Sequence, residues 1–192
     1  MPRAGLSPAA VVDAAAALAD AQGLEALTLA KIAATVGVRA PSLYNHVASL
    51  GDVRRRLALR ALSELAAAMR DAAVGRAGDD ALVAMAHAYR DYATRHPGRY
   101  AATQRAPAEG DEEHAAAAAA AVDVLLAILR GYDLESDDAI HAARGVRSAL
   151  HGFVALEAGG GFGLPVALDT SFERMVAALA RGLRGSGRAD PS

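Results

Sequence analysis

The sequence predicts an all-α protein of about nine helices, with three short helices at the N-terminus and a larger helical bundle behind them. Alanine, leucine and arginine dominate a chain in which aromatic residues make up only 4%, and this composition favours helix. No run of alternating β-branched residues is long enough to predict a strand. Signals for helix starts and stops recur along the chain, and they define the elements one after another.

The first two helices are predicted from their capping residues. Ser7-Pro8 places a serine at the N-cap and a proline at the first helical position, where its missing N–H costs nothing. That helix stops at Gln22-Gly23. Thr28 then caps a second helix, LAKIAATV, which ends at Gly37, a residue that tolerates positive φ.

The remaining helices follow from the same signals. A third short helix passes through residues 41–44, and Ser49 with Asp52 makes a capping-box arrangement at the start of a long fourth helix. Five more helices are predicted over 79–95, about 98–105, from Gly110 to about Arg130, 136–158 and 170–184. We therefore predict an N-terminal domain over residues 1–50, a helical body over 51–184 and a disordered tail over 185–192.

Composition and charge restrict the class of protein. Cysteine is absent, which excludes disulfides and thiolate metal sites, and the N-terminus lacks the apolar core of a signal peptide. The most apolar stretch, residues 115–129, contains Asp123 and is predicted to be too short and too polar to span a bilayer. We therefore expect a soluble, cytoplasmic protein.

A helix-turn-helix is the best match for residues 28–46, because two short helices are joined by a turn and a first helix lies behind them. Ile32 and Val36 before the turn, with Val38 and Leu43 after it, form an apolar wedge that fixes the angle between the two helices. We predict that one face of this segment contacts DNA through eight residues: Thr28, Lys31, Arg39, Ala40, Ser42, Tyr44, Asn45 and His46.

The predicted roles of these residues follow from their side chains. Ala40 and Ser42 are small and allow close approach to a DNA groove. Tyr44 and His46 can donate to phosphates, and Arg39 and Asn45 can read base edges or hold the DNA backbone. The hydroxyl of Thr28 and the amide groups beside it suit a phosphate. The first 60 residues hold seven basic and four acidic side chains, whereas the whole chain carries a net charge of −2. The alternative is that the tyrosine and the histidine are ordinary surface residues.

The stretch from Thr28 to Val47, TLAKIAATVGVRAPSLYNHV, resembles the DNA-binding domain of the TetR-type transcriptional repressors. The Thr, Ile-Ala, Gly-Val and Leu-Tyr-x-His positions all follow that family's pattern. Two positions depart from it: Val47 replaces the usual phenylalanine, and Leu50-Gly51 stands where helix four usually begins with a phosphate-binding lysine. Arg54 or Arg55 is a candidate replacement for that lysine.

The C-terminal half resembles the TetR-type domain called WHG, with Leu150-His151-Gly152 in place of its Trp-His-Gly signature. The two resemblances imply a regulator without a cofactor that binds palindromic double-stranded operator DNA as a homodimer and is released by a small-molecule inducer. From the apolar pattern of the last two helices we predict a dimer interface made by Leu150, Phe153, Val154, Phe172, Met175, Val176, Leu179 and Leu183.

Four residues are candidates for the ligand site. Met85, Tyr89 and Tyr92 are either core residues or the lining of a pocket in the helical body. His151 is either a core residue, a ligand contact or a dimer contact.

The motifs typical of enzymes and metal sites are missing. Asp111-Glu112-Glu113-His114 suggests a metal site or a helicase box, but no phosphate-binding loop accompanies it and Lys31 is the only lysine. Acidic residues at a helix start are explained by the helix dipole. We therefore predict that the protein is not an enzyme. Two alternatives stay open: a helical enzyme that uses His151 and Glu157, and a ligand-binding adaptor that has lost DNA binding.

Overall fold

The computed structural model describes residues 6–186, and over that range the chain forms nine α-helices and two single 3-10 turns. The helices are α1 (Pro8–Gln22), α2 (Leu29–Val36), α3 (Ala40–Leu43), α4 (Leu50–Ala73), α5 (Gly78–Arg95), α6 (Pro97–Thr103), α7 (Glu112–Leu129), α8 (Ser136–Ala158) and α9 (Leu168–Ser186). No strand occurs between residues 6 and 186, and the all-α prediction is confirmed.

The helix ends agree with the sequence prediction to within a few residues, but the predicted tail begins too early. α9 continues to Ser186, so the first two residues of the predicted tail are helical. Gly185 does not adopt the positive φ that ends α2 at Gly37, and the helix therefore passes through it. The rest of the predicted tail, 187–192, lies outside the described residues.

The chain divides into two compact units. Unit 1 combines the described residues up to Ser63 with Arg95–Ala118, and unit 2 combines Glu64–Thr94 with the residues from Ala119 onward. The predicted boundary lay at residue 50. Unit 1 extends further because α6 and the first half of α4 bury apolar side chains in the core of the N-terminal helices.

Local capping organises unit 1 as the sequence predicts. The Ser7 and Thr28 hydroxyls accept from the backbone N–H groups of Ala10 and Lys31, the third residues of α1 and α2, each at 3.2 Å. Gly37 adopts the left-handed conformation at φ 74°. At α4, the Asp52 N–H donates to Ser49 Oγ at 3.1 Å, while the Asp52 carboxylate accepts from the N–H of Ala48 at 3.0 Å.

A close approach between α1 and α6 completes unit 1. Gly98 is buried against the backbone of Ala19 and Asp20, and a Cβ at that position would collide with both. The next residue, Arg99, donates from its backbone N–H and its Nε to the Asp20 carboxylate at 2.9 and 2.8 Å. Ala102 lies fully buried in the same core. The glycine is therefore required by the helix that it packs against.

In unit 2, Arg90 of α5 ties α8 and α9 together. Its guanidinium donates to both oxygens of Glu157 at 2.5 and 2.8 Å and to Asp169 at 2.8 Å. It also lies over the rings of Phe153 and Phe172, 5.4 and 4.9 Å from their centroids. These hydrogen bonds, chiefly those to Glu157, raise the pKa of Arg90. Glu157 is thus held in an ion pair, and its predicted alternative role as a catalytic acid or base finds no support.

α7 with the 3-10 turn that follows it, Glu112–Tyr132, is 21 residues long with a mean hydropathy of 1.6. By length and composition it could cross a membrane, so the prediction that this region is too short was wrong: the helix continues beyond the apolar stretch at both ends. A single helix of this kind is weak evidence for a membrane span, because core helices of globular proteins pass the same test.

Candidate nucleic-acid interface

The helix-turn-helix of unit 1 is held together from within. Ile32 and Leu43 are fully buried, and Val47 is buried after the turn that follows α3. The Val38 N–H donates to the Ala33 carbonyl at 3.0 Å, and His46 and Val47 both donate to the carbonyl of Leu43, at 2.8 and 3.0 Å. The turn and the end of α3 are therefore fixed by backbone hydrogen bonds as well as by apolar packing.

Residues 39–46, which we call the recognition segment, present polar side chains to solvent. Arg39, Ser42, Tyr44 and Asn45 are exposed, and Tyr44 keeps 60% of its surface accessible. Among the described residues, none of these four side chains has a hydrogen-bonding or ionic partner. Ala40 and His46 are half-buried. Side chains that the fold leaves without partners are available to an external one.

Thr28 and Lys31 lie at the start of α2, and both are exposed. The Thr28 hydroxyl already caps the helix, and Lys31 Nζ donates to Gln22 Oε1 at 2.9 Å. A hydrogen bond to a neutral amide leaves the lysine charge uncompensated. All eight residues predicted to contact DNA are therefore exposed or half-buried on unit 1.

The three arginines at positions 54–56, which we call the α4 arginines, are all engaged by carboxylates. Arg54 pairs with Glu25 at 3.2 Å, and Arg56 pairs with Asp52 at 2.8 Å. The suggestion that Arg54 or Arg55 replaces the missing phosphate-binding lysine finds no support, because neither is free in unit 1.

Arg55 makes the strongest of these pairs, with residues at the start of α7. It donates from Nε and Nη2 to the two oxygens of Asp111, each at 2.6 Å, and from Nη2 to Glu113 at 2.8 Å. These hydrogen bonds lower the pKa of Asp111 to about 2 and raise that of Arg55. Asp111 also accepts from the backbone N–H of His114 at 3.1 Å, so the acidic run serves as a helix cap and an ion-pair partner.

The residues predicted to bind a ligand are mostly core residues. Met85 is fully buried, Tyr89 and Tyr92 are buried, and Tyr92 Oη donates to Glu64 at 3.0 Å. His151 is half-buried. None of the four lines the groove that the end of α4, the start of α5 and the second half of α7 form in unit 2. Met85, Tyr89 and Tyr92 therefore lie on the buried face of α5.

The residues predicted to form the dimer interface also belong largely to the chain's own core. Within the single chain, Met175 and Leu179 are half-buried, and the other six are buried: Leu150, Phe153, Val154, Phe172, Val176 and Leu183. Phe172, for instance, packs edge-on against Phe153 with ring centroids 5.1 Å apart. Most of the predicted interface is therefore already covered within one chain, and the dimer interface stays a prediction.

Sequence reasoning missed a groove of about 640 Å³ in unit 2, formed by the end of α4, the start of α5 and the second half of α7. Alanine, valine and isoleucine side chains line it, together with Arg70, Arg76 and Asp123. Its signal in the sequence was weak, because small residues repeated along a helix predict burial as readily as a cavity.

Two family models match the chain. The model described as "Bacterial regulatory proteins, tetR family" matches residues 11–49, and the model described as "Tetracyclin repressor-like, C-terminal domain" matches residues 82–179. The first match covers the helix-turn-helix and the second covers most of unit 2. Both resemblances inferred from the sequence motifs are thereby confirmed at the level of the family.

A curated relative and two solved structures agree with the models. An uncharacterised helix-turn-helix-type transcriptional regulator of Mycobacterium tuberculosis is 41% identical over 181 residues, which are 94% of this chain and 83% of the relative. A protein of unknown function from Rhodococcus sp. RHA1 has the same fold, with a TM-score of 0.80 at 22% identity over 96% of this chain and 99% of the other. A TetR variant from Acinetobacter baumannii AYE, solved in complex with minocycline, gives a TM-score of 0.71 at 20% identity over 96% and 100% of the two chains.

Proposed function

The chain belongs to the TetR family of bacterial transcriptional regulators, and we propose that it is a cytoplasmic repressor that binds a palindromic operator as a homodimer and is released by a small molecule. The observation that carries this proposal is the recognition segment, in which four polar side chains are exposed and lack partners among the described residues. A polar surface that its own fold leaves unsatisfied suits a polar partner such as a DNA groove.

The recognition segment supplies both kinds of DNA contact. Arg39, at the N-terminus of α3, carries a guanidinium that can form two hydrogen bonds to a guanine edge. Ser42 and Asn45 offer shorter donors and acceptors on the same exposed side. Tyr44 and His46 suit the phosphate backbone, and so do the amide groups at the start of α2 beside Thr28. Lys31 adds an uncompensated charge.

A single recognition segment contacts few base pairs, so specific binding requires two copies. The half-sites of a palindrome lie about 34–36 Å apart when they face the same side of DNA, and a two-fold dimer matches that symmetry. Because the predicted interface residues are mostly buried in the chain's own core, we assign the contact to the outer face of α8. Gly145 and Gly152 lie seven residues apart on this helix, and exposed Leu156 follows them.

The two glycines have no role in the packing of their own chain. A Cβ at either position would meet nothing within 4 Å, yet glycine inside a helix costs about 1 kcal/mol relative to alanine. Close approach of a second helix accounts for glycine at such positions. Gly152→Leu is therefore expected to convert the dimer to a monomer in sedimentation analysis without unfolding it. Ala116→Leu, which adds bulk to an exposed face of α7, serves as control and stays dimeric.

The small molecule is proposed to bind in unit 2 and to act through α4. This helix begins at Leu50, four residues after the recognition segment, and ends at Ala73 in the wall of the 640 Å³ groove. A ligand shifts the equilibrium between DNA-binding and released forms only by its different affinity for the two. A ligand in this groove would contact the end of α4, and α4 is the helix that we expect to differ between the DNA-binding and released forms.

The proposed function is tested by selecting bound fragments from the genomic DNA of the source organism. Wild type is expected to enrich a palindrome, and Tyr44→Ala, which loses the ring as well as the hydroxyl, to enrich the same palindrome much more weakly. Tyr44→Phe, which loses only the hydroxyl, should retain the sequence preference with weaker binding, since a phosphate contact carries no base information.

Arg105→Ala provides a control for charge, because it removes an exposed arginine of unit 1 outside the recognition segment. It should enrich the same palindrome as wild type. If wild type forms a folded dimer and enriches no fragment, the repressor proposal fails.

A further inference from the structure

The 640 Å³ groove of unit 2 has a distinct chemical character. Its walls are the methyl groups of Ala73, Ala77, Ala81 and Ala127 with the larger side chains of Val124 and Ile128, and we call it the alanine groove. Its volume lies within the range of about 300–1,000 Å³ that is typical of small-molecule sites. The groove exists because small side chains on three helices leave space that larger side chains would fill. Because its walls are apolar, they suit an apolar ligand chain.

Two glycines bring backbone segments close together in the wall of the alanine groove. Gly78, at the start of α5, and Gly131, in the turn after α7, both line it, and a Cβ at Gly131 would lie 3.2 Å from the backbone nitrogen of Gly78. The two segments therefore pack at a distance that a side chain would widen. Backbone rather than side chains therefore forms this part of the groove wall.

Two arginines give the groove its charge. Arg70 and Arg76 both line it, and within residues 6–186 neither side chain has an ion-pair or hydrogen-bond partner. This contrasts with Arg90 and Arg184 of the same unit, which both pair with carboxylates. Asp123 is the only acidic residue among the lining residues, so the groove carries one net positive charge.

We propose that the alanine groove binds an amphipathic monoanion, such as a medium-chain carboxylate. The apolar chain lies against the alanine, valine and isoleucine walls, and the carboxylate accepts charge-assisted hydrogen bonds from Arg70 and Arg76. Asp123 balances one of the two positive charges, which disfavours a second anionic group on the ligand. The role of this groove as the effector site rests on the proposed function, to which it adds the chemical class of the ligand.

The carboxylate specificity is tested by calorimetric titration of the full-length dimer with three probes of one chain length: dodecanoate, dodecanol and dodecyltrimethylammonium. All are used below the concentration at which they form micelles. Dodecanoate is expected to bind saturably and at least tenfold more tightly than dodecanol, and the cationic probe is expected not to bind. Equal affinity for the carboxylate and the alcohol would overturn the anionic class.

The apolar wall is tested by shortening the chain. From dodecanoate to decanoate to octanoate, affinity is expected to fall about three- to fourfold for each methylene removed from an apolar surface. Ala127→Trp should abolish binding of all probes by filling the groove, and its exposed position allows the larger side chain without disturbing the core. Undiminished binding by this variant would place the site elsewhere and overturn the proposal.

The arginines are tested by Arg70→Gln and Arg76→Gln. Each should lower dodecanoate affinity at least tenfold and leave dodecanol binding unchanged. Arg130→Gln, which removes an exposed arginine outside the groove, is the matched control and should bind as wild type does. Loss of affinity in all three variants would indicate a general charge effect and would overturn the assignment to the groove.

The titrations contain no DNA, so their failure is distinct from failure of the repressor proposal. If dodecanoate binds as expected but does not release a selected DNA fragment, the site is correct and its role as effector is wrong. If no probe binds to a protein that enriches a palindrome, the inference about the groove fails and the repressor proposal stands.

Discussion

The recognition segment and the α4 arginines are separated by fewer than ten residues, and both look suited to DNA in the sequence. Their side chains are used in opposite ways. Arg39 and the polar residues after it are exposed and lack partners among residues 6–186, whereas each of Arg54, Arg55 and Arg56 pairs with a carboxylate. Positive charge alone therefore does not identify a DNA-binding surface.

The partners of the α4 arginines show what these residues do. Glu25 follows α1, Asp52 lies one turn earlier on α4, and Asp111 and Glu113 lie at the start of α7. Arg55 thus links α4 to a segment 56 residues away in the sequence. The recognition segment is presented to the outside, and the α4 arginines hold together the unit that presents it.

The largest expected effect comes from breaking the unit on which both regions depend. Gly98→Ala places a Cβ against the backbone of Ala19 and Asp20, and backbone cannot yield as a flexible side chain does. We expect a loss of about 3 kcal/mol in the free energy of unfolding, the upper part of the range for overpacking. Thermal unfolding should shift down by roughly 6–12 °C for a chain of this size.

Gly185→Ala is the control for this change, since Gly185 lies in α9 and its Cβ would meet open space. The unfolding temperature of this variant should stay the same or rise slightly, because alanine is the better helix former. Equal stability of the two variants would mean that α6 does not pack closely on α1.

The next largest effect separates the two regions directly. Arg39→Ala should weaken binding to the selected operator by about 1–3 kcal/mol and relax the base preference at one position of each half-site. Arg55→Ala should change operator affinity little, because its guanidinium is held by Asp111 and Glu113. Binding curves of both variants on the operator and on single-base variants of it provide the measurement.

A larger loss of operator affinity for Arg55→Ala than for Arg39→Ala would show that DNA displaces the carboxylates from Arg55. It would remove the distinction between the two regions. A uniform loss on every DNA sequence for Arg39→Ala would assign this residue to the phosphate backbone.

The features that could be predicted from the sequence are those decided by neighbours in the chain. The caps at Ser7 and Thr28 and the left-handed Gly37 depend on residues three or four positions away, and the structure has all three. The same holds for the recognition segment, in which the alternation of apolar and polar residues is set within one short motif. Exposure of Tyr44 follows from burial of Leu43 beside it.

The features that could not be predicted depend on which distant helices meet. Phe172 looked available to a partner subunit, but Phe153 and Arg90 from two other helices cover it. In the sequence Gly98 only marks the start of a predicted helix, and its contact with Ala19 reveals why it is glycine. Pairing of Arg55 with Asp111 likewise requires knowing that α7 begins beside α4. One sequence carries no record of these contacts.

The smallest expected effect concerns the charge on Asp111. Asp111→Asn removes the charge but keeps a good helix cap, so it isolates the ion pair with Arg55 from the capping of α7. Because the pKa of this carboxyl is lowered from 3.8 to about 2 in the folded protein, its ionised form stabilises the fold above about pH 4. That stabilisation is lost as the pH falls from about 4 to 2.

Wild type should therefore be more stable than Asp111→Asn at pH 6, and the difference between their unfolding midpoints in urea should shrink towards zero by about pH 2. Glu109→Gln, which neutralises an exposed carboxylate two residues earlier without an ion-pair partner among the described residues, should show no such pH-dependent difference. A difference between wild type and Asp111→Asn that stays constant across this pH range would mean that the side chain stabilises α7 as a cap alone. The link between α4 and α7 would then contribute no stability, and the α4 arginines would differ from the recognition segment in geometry only.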